Sequence, residues 1–325
     1  MVRRAALACA LVVAAALSST LSNAEASPWP DRPIHVIVPF PAGSAADMVA
    51  RLIGSRLAQR LGQPVVVDDR DGASGEIGTT KLANSEADGY TIGIATTTTL
   101  VTAPVLNNSI GYNALKDFVA IAMIGYSPFV LVVYPPVPAK SIQEYIALAK
   151  AKPGSLSYSS EGEASLARLG AELFANMADI RLTQIPYKSS TQAVVDLLAG
   201  RIDSQFGILT TTQRYIQDGQ LRALGVTTTQ RIAEFPNLPT IAESGLPGYE
   251  VTLWMAMIAP AKTPQSIVDR LSAEINQALS QNDIKRALSD QAIFVDPHTA
   301  AEIHDVIQND LKKWTDLARK AELVH

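Results

Sequence analysis

From Ile34 onward, short runs of β-branched residues alternate with longer stretches of helical spacing, and that rhythm confines the chain to an α/β fold. Ile34–Val38 and residues 65–68 and 90–95 read as strands, Ala45–Leu61 and residues 77–84 as helices. Parallel neighbours need crossover connections, so the rhythm predicts a mixed, mostly parallel sheet flanked by helices. A second series follows. Residues 129–134, 156–159, 183–185, Ser204–Ile208 and 223–226 are strand candidates; Ile142–Ala151 and residues 165–177, 193–198 and 211–218 are helical. Residues 251–259 are again strand-like, and beyond Pro264 the pattern is helical apart from one extended piece at 292–295.

A C-terminal run of helices needs a sheet to cover, and the first series supplies it. The expected organisation is therefore a first lobe of residues 27–125 plus 252–325 and a second lobe of 126–251. Two chain crossings would join them and permit hinge closure over a cleft.

Residues 1–26 stand outside this pattern. Arg3 and Arg4 precede an apolar run, and Ala24-Glu25-Ala26 offers the small-x-small signature of a signal peptidase site, predicting export and cleavage before Ser27. The polar Ser18, Ser19, Thr20 and Ser22 interrupt the run before the roughly 20 residues that a membrane span requires. Cleavage would remove Cys9, the chain's one cysteine, so no disulfide could form within the mature chain. The charge is 27 Lys+Arg against 31 Asp+Glu, or −4, and becomes 25 − 30 = −5 without the leader. That balance, with no long basic run, excludes an ordinary nucleic-acid binder.

Ligands of open α/β sheets collect at the carboxyl ends of strands, where loops meet helix starts. Four loops hold that position. The first, Pro39 to Asp47, follows the first strand; its Phe40, Ala42 and Gly43 let a ligand approach the backbone, and the helix that begins after Ser44 presents unpaired amides to an anion. Asp47 follows Ser44 at capping-box spacing, leaving open whether it caps the helix or meets a ligand through water. The second loop, in the other lobe, contains Ser159, Ser160, Glu161, Gly162, Glu163 and Ser165. One turn further on, Arg168 could clamp a carboxylate, or pair on the surface with Glu161, Glu163 or Glu172. The third and fourth, Thr96 to Thr99 (with Thr97 and Thr98) and Thr210 to Thr212, are hydroxyl-rich strand ends.

Catalytic patterns are absent from the sequence. None of the four histidines, His35, His298, His304 and His325, pairs with a nucleophile-elbow serine, and His298 and His304 are six residues apart where a zinc helix needs four. Gly72, Gly75 and Gly78 lack the G-x-G start of a dinucleotide loop and instead predict a strand-to-helix turn with close packing. No cofactor or metal is expected, and no enzymatic activity; turnover of a bound solute would instead favour an α/β hydrolase or transferase.

One ordered series of motifs runs through the chain: Trp29-Pro30-Asp31-Arg32-Pro33-Ile34, Val36-Ile37-Val38-Pro39-Phe40-Pro41-Ala42-Gly43, Asp47, Leu61-Gly62-Gln63-Pro64-Val65-Val66-Val67 and Ala87-Asp88-Gly89-Tyr90-Thr91. It continues through Pro186-Tyr187-Lys188, Leu221-Arg222-Ala223-Leu224, Phe235-Pro236-Asn237-Leu238-Pro239-Thr240, Glu243-Ser244-Gly245-Leu246-Pro247-Gly248-Tyr249 and Ala259-Pro260-Ala261. In this the sequence resembles the extracytoplasmic solute receptors of tripartite tricarboxylate transporters, the Bug-type family.

The resemblance implies a periplasmic, monomeric receptor of the two-lobed, type II-like binding-protein fold, whose lobes close on a small carboxylate and present it to a membrane permease. A loaded receptor of the same fold could instead dock on a membrane signalling sensor. The resemblance places ligand contacts at Phe40, Ala42, Gly43 and Asp47 in the first lobe and at Ser159, Ser160, Gly162 and Ser165 in the second. Glu161, Glu163, Arg168 and Gly207 depart from the family's commoner residues at the ligand's distal end. If Arg168 reaches the cleft a dicarboxylate is implied, aliphatic or aromatic; if Glu161 or Glu163 does, an amine-bearing solute.

Overall fold

The computed structural model describes residues 29–160, 165–187 and 189–320. The leader, its cleavage site and Cys9 lie outside these residues, as do Glu161, Gly162, Glu163, Lys188 and His325.

Nine strands form one curled sheet system. β1 (Ile34–Val38) pairs in parallel with β2 (Val65–Asp69) and β3 (Thr91–Thr96), and β5 (Ser157–Ser160) with β6 (Thr183–Pro186) and β7 (Ser204–Ile208). The antiparallel pairings all involve two long strands, β4 (Phe118–Val133) and β9 (Thr252–Pro260): β4 with β9, β7 and β8 (Arg222–Val226), and β9 with β3. The sheet is therefore mixed, with parallel pairs towards each end and antiparallel pairs along β4 and β9 in the middle.

β4 makes the join. Its first part runs beside β9 as far as the Pro128–Thr252 pair, and from Phe129 its partners are β7 and β8. A strand of 16 residues is unusually long, and it bends at register shifts between Ala120 and Ala122 and between Met123 and Gly125. Two fully buried threonines fasten the crossing. Thr97 Oγ1 accepts the Trp254 amide at 3.0 Å, and Thr227 Oγ1 accepts the Phe129 amide at 3.0 Å. The same hydroxyls donate to Thr252 O and Val251 O respectively. The chain at the start of β9 is thus held by both threonines, at Val251, Thr252 and Trp254, and β4 by Thr227 at Phe129.

The helices follow the apolar spacing of the sequence. α1 (Ala45–Leu61) starts on Ser44, whose hydroxyl accepts the Asp47 amide, and ends on Gly62 in the left-handed conformation, a common helix stop. It buries Val49, Ile53 and Leu57 against the first sheet, where α8 (Gln265–Ser280) joins it. α2 (Glu76–Ala83), α3 (Ala103–Leu106), α4 (Ile142–Ala151), α5 (Leu166–Ala178), α6 (Ser190–Leu198) and α7 (Leu209–Gln217) cover the remaining faces, and α9 (Asn282–Ser289) extends α8. At Gly78 an added Cβ would lie 2.8 Å from both Arg70 O and Pro39 Cα, so the close approach of α2 to the β1 end needs glycine. Phe174 anchors the second lobe's core, its ring 5.5 Å from Phe206 and 6.0 Å from Tyr249, contacts worth about 0.5–1.5 kcal/mol each beyond their burial.

The C-terminal helix α10 (Ala300–Lys320) does more than cover the first lobe, as the sequence led us to expect. It also lies against α5 of the second, and Ile303, Ile307, Trp314 and Leu317 share one apolar cluster with Leu166, Leu169 and Phe174. The extended piece before it forms a two-way bridge between Phe294 and Tyr126, with hydrogen bonds of 3.0 and 2.8 Å, and sends Ala292 into a second-lobe cluster with Val130, Leu209 and Ile232. Ser127 Oγ and Thr210 Oγ1 donate to Ala292 O and Gln291 O, each at 2.9 Å. This strap is a third tie between the lobes, invisible to hydrophobic periodicity because its bonds are to backbone.

Candidate functional site

Between the two halves of the sheet lies a hollow of about 390 Å³ behind the crossing strands and another of about 270 Å³ in front. The front one sits where parallel strands end and helices begin, the position at which open α/β sheets bind ligands. The first turn of α5 contributes Ser165, Leu166 and Ala167, the start of α6 contributes Ser190, and the N-cap of α7 contributes Ile208. Across from them stand Phe40, Ser74 and Thr98, with Phe129 and Leu253 of the crossing strands at the floor. Each helix start carries amides without intrahelical acceptors and the positive end of a macrodipole, so three of them converging favour an anion. The apolar side chains between favour a ligand whose middle is not hydrated.

Local sequence explains these starts. Ser165 caps α5 by accepting the Arg168 amide at 3.2 Å, and Ser189 caps α6 by accepting that of Gln192 at 3.3 Å. Ser190 Oγ lies 3.2 Å from Thr211 Oγ1 and accepts from Gln205 Nε2 at 3.1 Å, which joins the starts of α6 and α7 in one neutral polar network.

Of the residues singled out from the sequence, Phe40, Thr98 and Ser165 line the hollow directly. Ala42 and Gly43 are exposed on the loop before α1, and Ser44 is its cap. Asp47 is a buried loop-builder: Oδ2 accepts the Gly43 amide at 2.7 Å, and Oδ1 is 2.6 Å from Arg51 Nε. Arg51 also reaches Asp69 at 2.9 Å. The Asp69 carboxyl is held above its ordinary range by burial and by Asp47, against the pull of Arg51.

Five expected contacts sit behind the lining. Thr97 is fully buried, its hydroxyl engaged at the crossing strands. Ser159 and Ser160 are fully buried in β5, Ser160 Oγ accepting from Gln184 Nε2 at 2.7 Å. Gly207 lies within β7 beside β4, where an added Cβ would meet Thr212 Cγ2 at 2.5 Å, so glycine here serves packing. Arg168 is half-buried one turn behind the α5 start. It stands near Tyr158, whose phenol donates to Glu172 at 2.8 Å; burial raises the Tyr158 pKa, Glu172 adds to the rise and the Arg168 charge opposes it. Gly162, Glu161 and Glu163 fall outside the described residues.

Sequence reasoning did not find Ser74, Phe129, Ser190, Ile208 or Leu253. For Ser190 a signal existed, since Ser189-Ser190 follows a strand and opens a helix as Ser44 and Ser165 do. The His298, Glu302 and His304 stretch is a helix start: the Glu302 carboxylate accepts the Thr299 amide at 2.7 Å while Thr299 Oγ1 accepts the Glu302 amide, and His304 is exposed. Among the described residues no helix is long and apolar enough to cross a membrane.

Solved structures share this architecture. An R. palustris protein determined with adipate is 32% identical, with a TM-score of 0.79 over 90% of this chain and 98% of its own. MatC from Rhodopseudomonas palustris, with bound malate, is 27% identical, with a TM-score of 0.76 over 89% and 99%. Protein BugT of Bordetella pertussis is 36% identical over 296 residues, 91% of each chain. Residues 49–323 match the model of the tripartite tricarboxylate transporter family receptor. On that match, and on the two-lobed α/β fold it accompanies, the chain belongs to the tripartite tricarboxylate transporter receptor family, whose curated relatives include the Bug proteins.

Proposed function

We propose that the protein is a periplasmic receptor, exported and cleaved before Ser27, that captures a small dicarboxylate with an aliphatic or aromatic middle and delivers it to a transporter permease. One observation carries this reading: the starts of α5, α6 and α7 converge on a single hollow whose centre is apolar. The relatives solved with adipate and with malate support a carboxylate. The ligand contacts we assign are the exposed first loop at Phe40, Ala42 and Gly43, Thr98, the α5 start at Ser165, and Ser190. Asp47 acts by shaping the first loop. The lobes, taken as 27–125 with 252–325 and as 126–251, close on the ligand about the crossing strands.

A thermal-shift screen of the mature protein against mono-, di- and tricarboxylates, aromatic acids and amino acids tests this. A ligand at 100 times its Kd stabilises the native state by about 2.7 kcal/mol, so a dicarboxylate is expected to give the largest rise in melting temperature. A rise with amino acids alone would overturn the dicarboxylate assignment.

Arg168 supplies the second charge in this reading, by turning from its place beside Tyr158 towards the hollow when the ligand is bound. Arg168→Ala is then expected to weaken adipate by about 10- to 100-fold, the loss of a charge-assisted hydrogen bond of about 1.5–3 kcal/mol. Hexanoate, of equal length with one carboxylate, should change less than about threefold on the same grounds. Calorimetric titration of both acids decides; equal weakening would make Arg168 a packing residue beside Tyr158.

A further inference from the structure

The hollow behind the crossing strands lies outside the carboxylate site proposed above, and its carboxylate lining is of the opposite sign. β9 separates the two: Leu253 faces the front hollow, while its neighbours Thr252 and Trp254 line the one behind, as the alternation of a strand requires. The rear hollow of about 390 Å³ opens between the segment after β8 and the strap before α10. Tyr126 and Trp254 are its aromatic walls, and Glu250, from one side, faces Asp296 and His298, from the other.

No lysine or arginine among the described residues lies within 4.0 Å of these carboxylates. Among the described residues neither Glu250 nor the adjacent Glu234 has an ion-pair partner within 4.0 Å, and Asp296 has only the His298 imidazole, at 3.6 Å. Lys313, the neighbouring ammonium, donates to the Glu250 backbone carbonyl at 2.7 Å and lies over the Trp314 ring. Glu234 Oε2 and His298 Nδ1 are sealed from solvent with no hydrogen-bond partner. Asp296 and Glu234 both act on the Tyr126 phenol, raising its pKa after burial has done so, which places the negative potential at the aromatic wall. Aromatic faces beside uncompensated carboxylates attract a positive charge. A bare metal ion does not suit the hollow, since no three ligating side chains gather there among the described residues.

We propose that the rear hollow is a second binding site, for a small organic cation of the ammonium or guanidinium class, held between Glu250 and Asp296 against Tyr126 and Trp254. Its occupant bridges the segment after β8 and the strap, so it touches both sides of the bend without entering the carboxylate cleft.

Choline and agmatine are the probes, titrated into the purified mature protein at constant ionic strength with calorimetry and tryptophan fluorescence as readouts, and with no carboxylate present. At least one of them is expected to bind saturably at one site per chain. Glu250→Gln combined with Asp296→Asn should weaken that binding at least tenfold, while Ser165→Asp, at the front hollow, should leave it within twofold of wild type. No saturable binding of either cation to the wild type would overturn the proposal, as would equal binding to the double variant. Binding changed by Ser165→Asp but not by the rear substitutions would place the cation in the front cleft and overturn it too. Should the double variant fail to fold by circular dichroism, the two single variants are measured instead, each expected to lose affinity, and wild-type affinity in both would overturn the proposal.

Discussion

Replacing Gly125 by alanine is expected to lower the melting temperature by on the order of 4–6 °C, the shift that about 3 kcal/mol produces in a chain of this size. Gly125 has φ +153°, and a Cβ there would lie 2.1 Å from Phe294 O, inside any permitted contact. That carbonyl accepts the Tyr126 amide, so the strap cannot retreat without breaking its bridge to β4 and withdrawing Ala292 from the second-lobe cluster. Strain and lost packing add at one point. A thermal melt of the variant decides, and a shift under about 2 °C would mean that the strap gives way easily and is no tie between the lobes.

Ser165→Asp is expected to abolish carboxylate capture, by about 100-fold or more, with little effect on folding. Aspartate caps a helix as well as serine does, so α5 should form, and a negative residue suits the helix start. Yet the same carboxylate then stands in the lining of the front hollow. Two like charges about 4 Å apart repel by roughly 4 kcal/mol at the effective dielectric of a protein surface, and tenfold in affinity corresponds to about 1.4 kcal/mol. Ser165→Asn keeps the cap without the charge and should retain affinity within about tenfold on the same scale. Titration of the best ligand from the screen into both variants separates charge from shape. Equal loss in both would show that the site recognises something other than an anion at this helix start.

Much of the scaffold was legible because it is local. β1 and α1 fall where β-branched runs and 3.6-residue spacing placed them, Ile34–Val38 and Ala45–Leu61, and the Ser44 cap follows from Ser-x-x-Asp. The first half of β4 was not legible, since Gly125 and the Ser127-Pro128 pair interrupt its run. Its strand conformation comes from β9 alongside, with two register shifts absorbing the mismatch. The threonine run after β3 also misleads. Threonine favours strands, but here Thr98–Thr102 turns helically, with the Thr96 and Thr99 hydroxyls bonded to nearby amides and Leu100 and Val101 buried in the main core cluster.

The candidate site divides along the same line. Loops that join a strand end to a capped helix start announce themselves in sequence, and so Phe40, Thr98 and Ser165 could be named in advance. Phe129 and Leu253 could not, because each is an ordinary apolar strand residue until β4 and β9 cross. The sequence by itself determined the elements, their caps and the family, since these depend on spacing and side-chain chemistry within a few residues. Which starts face one another, and what lies between them, was decided only by the tertiary structure. Residues from Phe40 to Leu253 become neighbours through strand pairing and burial, which no local pattern encodes.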